Sequence, residues 1–186
     1  MIRKLQVLLF WQHCNLIVSD LKFINLKSLI ILFNKFFFLC FISFSLNLFS
    51  AKKDTIVVAK DHSGDFSSIQ EAIDQSQSFP YKKLVIFIKK GTYKEKIFVH
   101  EWNTNLTFIG ENKDKTIITF DDYFDKMKKG KNSTFYTPTF FIEANDTVLK
   151  NLTIENSAGE VGQAVALSIF ANRISVVNCK ILGNQD

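Results

Sequence analysis

Little in this 186-residue chain can form a crosslink. Of its 3 cysteines, Cys14 and Cys40 fall in the first 51 residues and Cys179 stands alone in the remainder. A single thiol beside strand-forming residues reads as a small buried hydrophobe, and no disulfide frame or metal site can be built from it. No cofactor and no metal are expected. A basic excess is also missing where a polyanion binder would need one. The formal net charge is +5, but Arg3, Lys4, Lys22, Lys27 and Lys35 against Asp20 place +4 of it in residues 1–51. Residues 52–186 hold 18 basic and 17 acidic side chains, so the body lacks the footprint of a nucleic-acid binder. Nor is there an apolar run long enough to cross a membrane comfortably. The longest, "FFFLCFISFSLNLF", spans the 14 residues 36–49.

That run nevertheless carries information. It follows Lys35 directly and ends at Ser50 and Ala51. A basic flank, a short apolar region and a small-residue exit predict a secretory signal within a leader of residues 1–51. The expected destination is extracellular or cell wall (periplasmic in a bacterium), with membrane contact only through the leader if it stays uncleaved. Four Asn-x-Ser/Thr sequons, at Asn105, Asn132, Asn145 and Asn151, could accept glycans in a eukaryotic secretory pathway.

The body, residues 52–186, is poor in helical periodicity. One exception is "SSIQEAIDQS", where Ser68 followed by Glu71 forms a capping box and Ile69, Ala72 and Ile73 share a face. This predicts a short amphipathic helix ending before Pro80. Around it lie short strands divided by polar turns: "TIVVAK" before the helix, then "KLVIFI", "KIFVH", "NLTFIG", "TIITF", "TFFIEA", "NLTIEN", "AVALSIF" and "RISVVN". Laying "NLTIEN" on "RISVVN" matches Leu152 with Ile174 and Asn156 with Asn178 at an offset of 22 residues, and "NLTFIG" matches 46 residues earlier. Self-similarity of that kind favours a β-solenoid over a β-sandwich, and would stack Asn156 and Asn178 at equivalent turns. The helix then covers the open end of the first coil. The closing stretch "CKILGNQD" reads as a coil in mid-stack, so an incomplete domain is expected.

Six collinear stretches carry a resemblance: "AKDHSGDFSSIQEAID", "GTYKEKI", "LTFIGEN", "NLTIENSAG", "GQAVAL" and "LGNQD". Together, over roughly residues 54–186, they resemble carbohydrate esterases of the pectin methylesterase (pectinesterase) type. The resemblance implies an all-β fold, a right-handed single-stranded parallel β-helix, here its N-terminal portion. It implies hydrolysis of methyl esters on polygalacturonate, with pectin (homogalacturonan) as the partner and a monomer when complete. Residue by residue, it places Gln163 and Thr139 against substrate, Gln185 as oxyanion stabiliser and Asp186 as general acid/base.

These residue types suit ester hydrolysis. A tetrahedral oxyanion needs neutral donors, which glutamine amides supply, and methoxide must be protonated as it leaves. An aspartic acid kept protonated by a neighbouring carboxylate can do this and then activate water. The resemblance further implies a nucleophilic aspartate and an orienting arginine in later coils. The 186-residue chain by itself is therefore expected to lack esterase activity. Two other readings stand beside this one. A β-helical polysaccharide lyase would need calcium-binding acids, and Asp121, Asp122 and Asp125 lie instead in a Lys/Gly-rich stretch that reads as a solvent loop. A non-catalytic carbohydrate-binding β-helix is the other. His62 and His100 are expected at the surface, and Tyr93 and Trp102 in core or turn packing.

Overall fold

The computed structural model describes residues 54–184. Twelve short strands occur there: β1 Thr55–Val58, β2 Leu84–Ile88, β3 Gly91–Lys94, β4 Ile97–Val99, β5 Leu106–Gly110, β6 Thr116–Phe120, β7 Phe140–Ile142, β8 Val148–Lys150, β9 Thr153–Asn156, β10 Leu167–Ile169, β11 Ser175–Val177 and β12 Lys180–Leu182. Every ladder is parallel. The strands sort into three sheets, ordered β1-β2-β5-β8-β11, β3-β6-β9-β12 and β4-β7-β10. From β2 onward successive strands thus enter different sheets, and each sheet pairs with itself one coil later, which makes a parallel β-helix.

The core follows from register. Ile86, Phe108 and Leu149 are paired in succession in the first sheet, and Tyr93, Ile118 and Ile154 in the second. Ile97 and Phe140 do the same in the third. All eight are buried. Phe108 meets Phe140 edge-on across the interior at 5.4 Å. Each such side chain withdrawn from water stabilises the coil stack by about 1.5–3 kcal/mol. Outward on the third sheet, Phe98, Phe141 and Phe170 form a second column, with ring centroids 5.0 and 5.5 Å apart.

Helix α1, Ile69–Asp74, covers the first coil as expected, burying Ile69, Ala72 and Ile73. Its cap is richer than the sequence implied. Ser68 Oγ accepts from the Glu71 amide, while Glu95 Oε2 accepts from Ser68 Oγ (2.8 Å) and from the amides of Ile69 (2.9 Å) and Gln70 (3.1 Å). A carboxylate from the β3–β4 connection thus satisfies the orphan donors of the helix start. This explains the Gly91-x-Tyr93-x-Glu95 pattern: Tyr93 fills the core and donates its hydroxyl to the Lys89 carbonyl, and Glu95 fastens the cap.

The spacing of the coils differs from the 22-residue reading. That interval holds between β2 and β5, where Leu84 pairs with Leu106, but β8–β11 and β9–β12 are separated by 27, as in Val148 with Ser175 and Thr153 with Lys180. Residues 152–156 therefore belong to the second sheet and residues 174–178 to the first, and Asn156 does not stack on Asn178. The stacked pair is Asn151 and Asn178. Both are left-handed (φ 55° and 51°), and Asn178 Nδ2 donates to Asn151 Oδ1 at 2.7 Å. Gly110 holds the equivalent place one coil earlier, where a Cβ would lie 2.2 Å from the Asn151 carbonyl oxygen. Asparagine tolerates this turn, and glycine is required where the backbones approach.

Candidate active site

Between β6 and β7 the chain leaves the coil to form α2, Phe124–Met127, and a 3-10 helix, Gly130–Tyr136. The stretch expected to be a solvent loop is anchored at several points. Asp122 is buried and pairs with Lys96 Nζ at 2.8 Å and Lys126 Nζ at 3.0 Å. Lys96 also donates to the Tyr136 carbonyl at 2.6 Å, so one ammonium joins both ends of the excursion. Lys126 further holds Asp121, whose carboxyl is lowered below its ordinary pKa mainly by that hydrogen bond.

Asn156, the last residue of β9, completes the attachment. It is 3 % exposed, and its Nδ2 donates to the carbonyls of Asp122 (2.9 Å) and Val165 (3.1 Å), with a longer contact to Thr137 (3.4 Å). Its Oδ1 accepts from the Ala158 amide at 3.0 Å. One buried carboxamide thereby ties the start and end of the excursion to the segment that carries Gln163.

Gln163 itself is exposed and gripped twice. Its carbonyl accepts from the Phe124 amide at 2.8 Å, and its Oε1 accepts from Thr134 Oγ1 at 2.6 Å. With Oε1 engaged, the amide NH₂ is the end left to donate outward, which is what an ester carbonyl or developing oxyanion requires. In the sequence Thr134 is only the third residue of the Asn132 sequon, and no spacing rule singles it out.

Thr139 lies elsewhere. It is fully buried, and its hydroxyl donates to the Glu155 carbonyl at 2.9 Å. A side chain so placed offers no surface to solvent, whereas Thr134 is half-buried beside the exposed Gln163. Thr137 is buried as well, accepting from the Val165 amide at 3.1 Å. Gln185 and Asp186 lie outside the described residues. The described chain leads toward them through Gly183 and Asn184, which line an open cleft of about 400 Å³ with Glu155, Asn156, Ser157 and Leu182. Asn156 thus borders this cleft and reaches through Val165 toward Gln163.

The pectinesterase family model matches residues 55–186, nearly all of the body. The chain belongs to the pectinesterase family. A pectinesterase from Petunia integrifolia is 41% identical over 138 residues, covering 74% of this chain and 36% of the relative. Pectin methylesterase from carrot superposes with a TM-score of 0.62 at 30% identity, covering 67% of this chain and 38% of that one. Pectin methylesterase PemA from Erwinia chrysanthemi gives 0.65 at 26% identity, covering 73% and 45%. The fold is the right-handed parallel β-helix of these pectinesterases, and the polysaccharide-lyase reading falls with the family assignment. The chain spans less than half the length of the relatives and structures just named.

The remaining expectations divide. Tyr93 is core and Trp102 packs in a turn, its ring stacked on His100 at 4.3 Å. His62 is exposed at a left-handed turn (φ 60°), while His100 is half-buried between Phe98 and Trp102. Cys179 is free, half-buried and packed against the core.

Proposed function

We propose that this pectinesterase chain contributes the N-terminal half-site of a pectin methylesterase, which cleaves methyl esters of polygalacturonate. Gln163 and Thr134 hold the substrate, Gln185 donates to the oxyanion and Asp186 acts as acid and then base. Thr139 supports from behind, fixing the Glu155 carbonyl. A carboxylate nucleophile from a coil outside the described residues adds to the ester carbonyl. The tetrahedral oxyanion collapses, the carbon–oxygen bond to methoxide breaks, and Asp186 supplies the proton that completes methanol. Asp186 then takes a proton from water as it attacks the acyl carbon, which releases the galacturonate carboxyl and restores the nucleophile. We further propose that residues 1–51 direct the protein out of the cytoplasm, to where pectin is met, and that residues 52–186 begin the catalytic domain.

The observation that supports this reading is the Thr134–Gln163 pair: Thr134 Oγ1 donates to Gln163 Oε1 at 2.6 Å, which leaves the exposed glutamine its NH₂ as donor, and Asn156, which borders the Gly183–Asn184 cleft, bonds the Val165 carbonyl two residues on. Methanol release from esterified pectin by the natural protein tests it. Gln163→Leu should lower kcat/KM about 10²-fold, the loss typical of one aimed donor. An unchanged kcat/KM would remove Gln163 from the site.

A further inference from the structure

The four sequons of the sequence part company in the structure. Asn105 is a left-handed turn residue (φ 60°), and its Nδ2, the atom a glycan would occupy, donates to the Pro80 carbonyl at 3.0 Å. Asn145 Oδ1 accepts from the Asn172 amide and Asn151 Oδ1 from Asn178 Nδ2, each at 2.7 Å and each from 27 residues on, so both carboxamides lie along the coil stack. The hydroxyls of these two sequons, on Thr147 and Thr153, are buried and donate to the Ala144 and Lys113 carbonyls. All three asparagines are half-buried. Asn132 differs on each count. It stands in the 3-10 helix Gly130–Tyr136, outside the three sheets, and is exposed. Its carboxamide makes no hydrogen bond among the described residues. The turn beneath it is held instead by Ser133, which is buried, donates to the Gly130 carbonyl at 2.8 Å and accepts from the Lys129 amide at 3.0 Å.

We propose that Asn132 is the N-glycan acceptor of this fold, and that its glycan screens the Thr134–Gln163 pair from polymeric substrate. This rests on the export and esterase readings above. The donor is an oligosaccharide carried on a lipid pyrophosphate. Asn132 Nδ2 bonds to the anomeric carbon, the bond from that carbon to the pyrophosphate oxygen breaks, and the nitrogen gives up one proton. The sequon supplies a hydroxyl two residues on, here that of Thr134. In the folded chain this hydroxyl donates to Gln163 Oε1 at 2.6 Å, so transfer precedes closure of the pair. One side chain thus serves the modification first and the site afterwards. A glycan is bulky and hydrophilic. Two residues before Thr134 it narrows the approach of a polymer without costing the fold, because the Asn132 side chain has no partner to lose.

Secretion of the natural protein from yeast, behind its own leader and separately behind a yeast secretion signal, tests both parts. Enzymatic deglycosylation in heavy-oxygen water turns each glycosylated asparagine into a labelled aspartate, which peptide masses locate. The label should fall on residue 132, and Asn132→Gln should abolish it with the unfolding midpoint unchanged. Trimming the glycan, or the Asn132→Gln substitution, should lower KM for esterified pectin about threefold at constant kcat, the pattern of binding regained equally in ground and transition states. An unlabelled Asn132 behind the yeast signal, or equal label at Asn105, Asn145 or Asn151, would overturn the acceptor assignment. A KM indifferent to trimming would overturn the screening role. Label behind the yeast signal but not behind the natural leader sinks only the export reading. Label at Asn132 with no methanol release from any form sinks the esterase reading, and the screening role with it.

Discussion

Replacing Asn156 by alanine tests how the site is held in place. The side chain is buried, makes two short donations to the Asp122 and Val165 carbonyls and accepts one bond from the Ala158 amide. A net hydrogen bond is worth roughly 1 kcal/mol, and a buried partner left unsatisfied costs about 1–3 kcal/mol. The alanine leaves two carbonyls and one amide to find new partners. Water reaching part of the vacated space lowers the cost, so the expected loss is about 2–4 kcal/mol. For a chain of this size that displaces the thermal midpoint by roughly 10 °C. Urea unfolding of wild type and variant, with the slope compared, is the assay. Asn156→Asp is the sharper control. It preserves the volume but turns acceptor oxygens toward two carbonyls, so it should be at least as destabilising as alanine. A loss under about 0.5 kcal/mol for alanine, or an aspartate variant close to wild type, would refute the claim that this amide anchors the excursion.

Two further outcomes follow from the fold. Gly110→Ala should destabilise by about 1–3 kcal/mol, because its Cβ would lie 2.2 Å from the Asn151 carbonyl and the coils must separate, which a urea midpoint reports. Acid should weaken the fold through exposed carboxylates. Asp146 is held below its ordinary pKa by hydrogen bonds from Arg173, Asp121 by Lys126 and Asp114 by Lys180. Their folded values lie below the unfolded ones, so their contribution is complete above the ordinary carboxylate range, near pH 4, and is lost as pH falls through the lowered values. Thermal midpoints measured from pH 7 downward should stay level until about pH 5 and then drop. A midpoint that rises on acidification would contradict the sign.

Much of this architecture can be read in the sequence, and the misreadings have physical causes. Strand positions were legible because apolar alternation marks any half-buried strand. Sheet membership was not, since a strand of the second sheet and one of the first show the same alternation, and "NLTIEN" and "RISVVN" look alike although they pair with different neighbours. The true interval is set by turn lengths and by the excursion at 121–137, neither of which has a periodic signal. Strands β3 and β8 were missed because "GTYK" and "VLK" are too short to alternate visibly. At the site, Gln163 could be found through its neighbours in sequence, but its partner Thr134 arrives from 29 residues away. Thr139 and Thr134 are both threonines near a strand start, and only burial distinguishes them. Asp122 looked solvated because its partner Lys96 lies on another coil.

The account stands or falls on Asp186, to which the last described coil leads. The direct measurement is methanol release from esterified pectin by the natural protein carrying Asp186→Asn. An asparagine keeps the shape but can neither protonate methoxide nor activate water, so kcat should fall about 10²–10⁴-fold with little change in KM. A variant that releases methanol at the wild-type rate would contradict the assignment of the proton-transfer step.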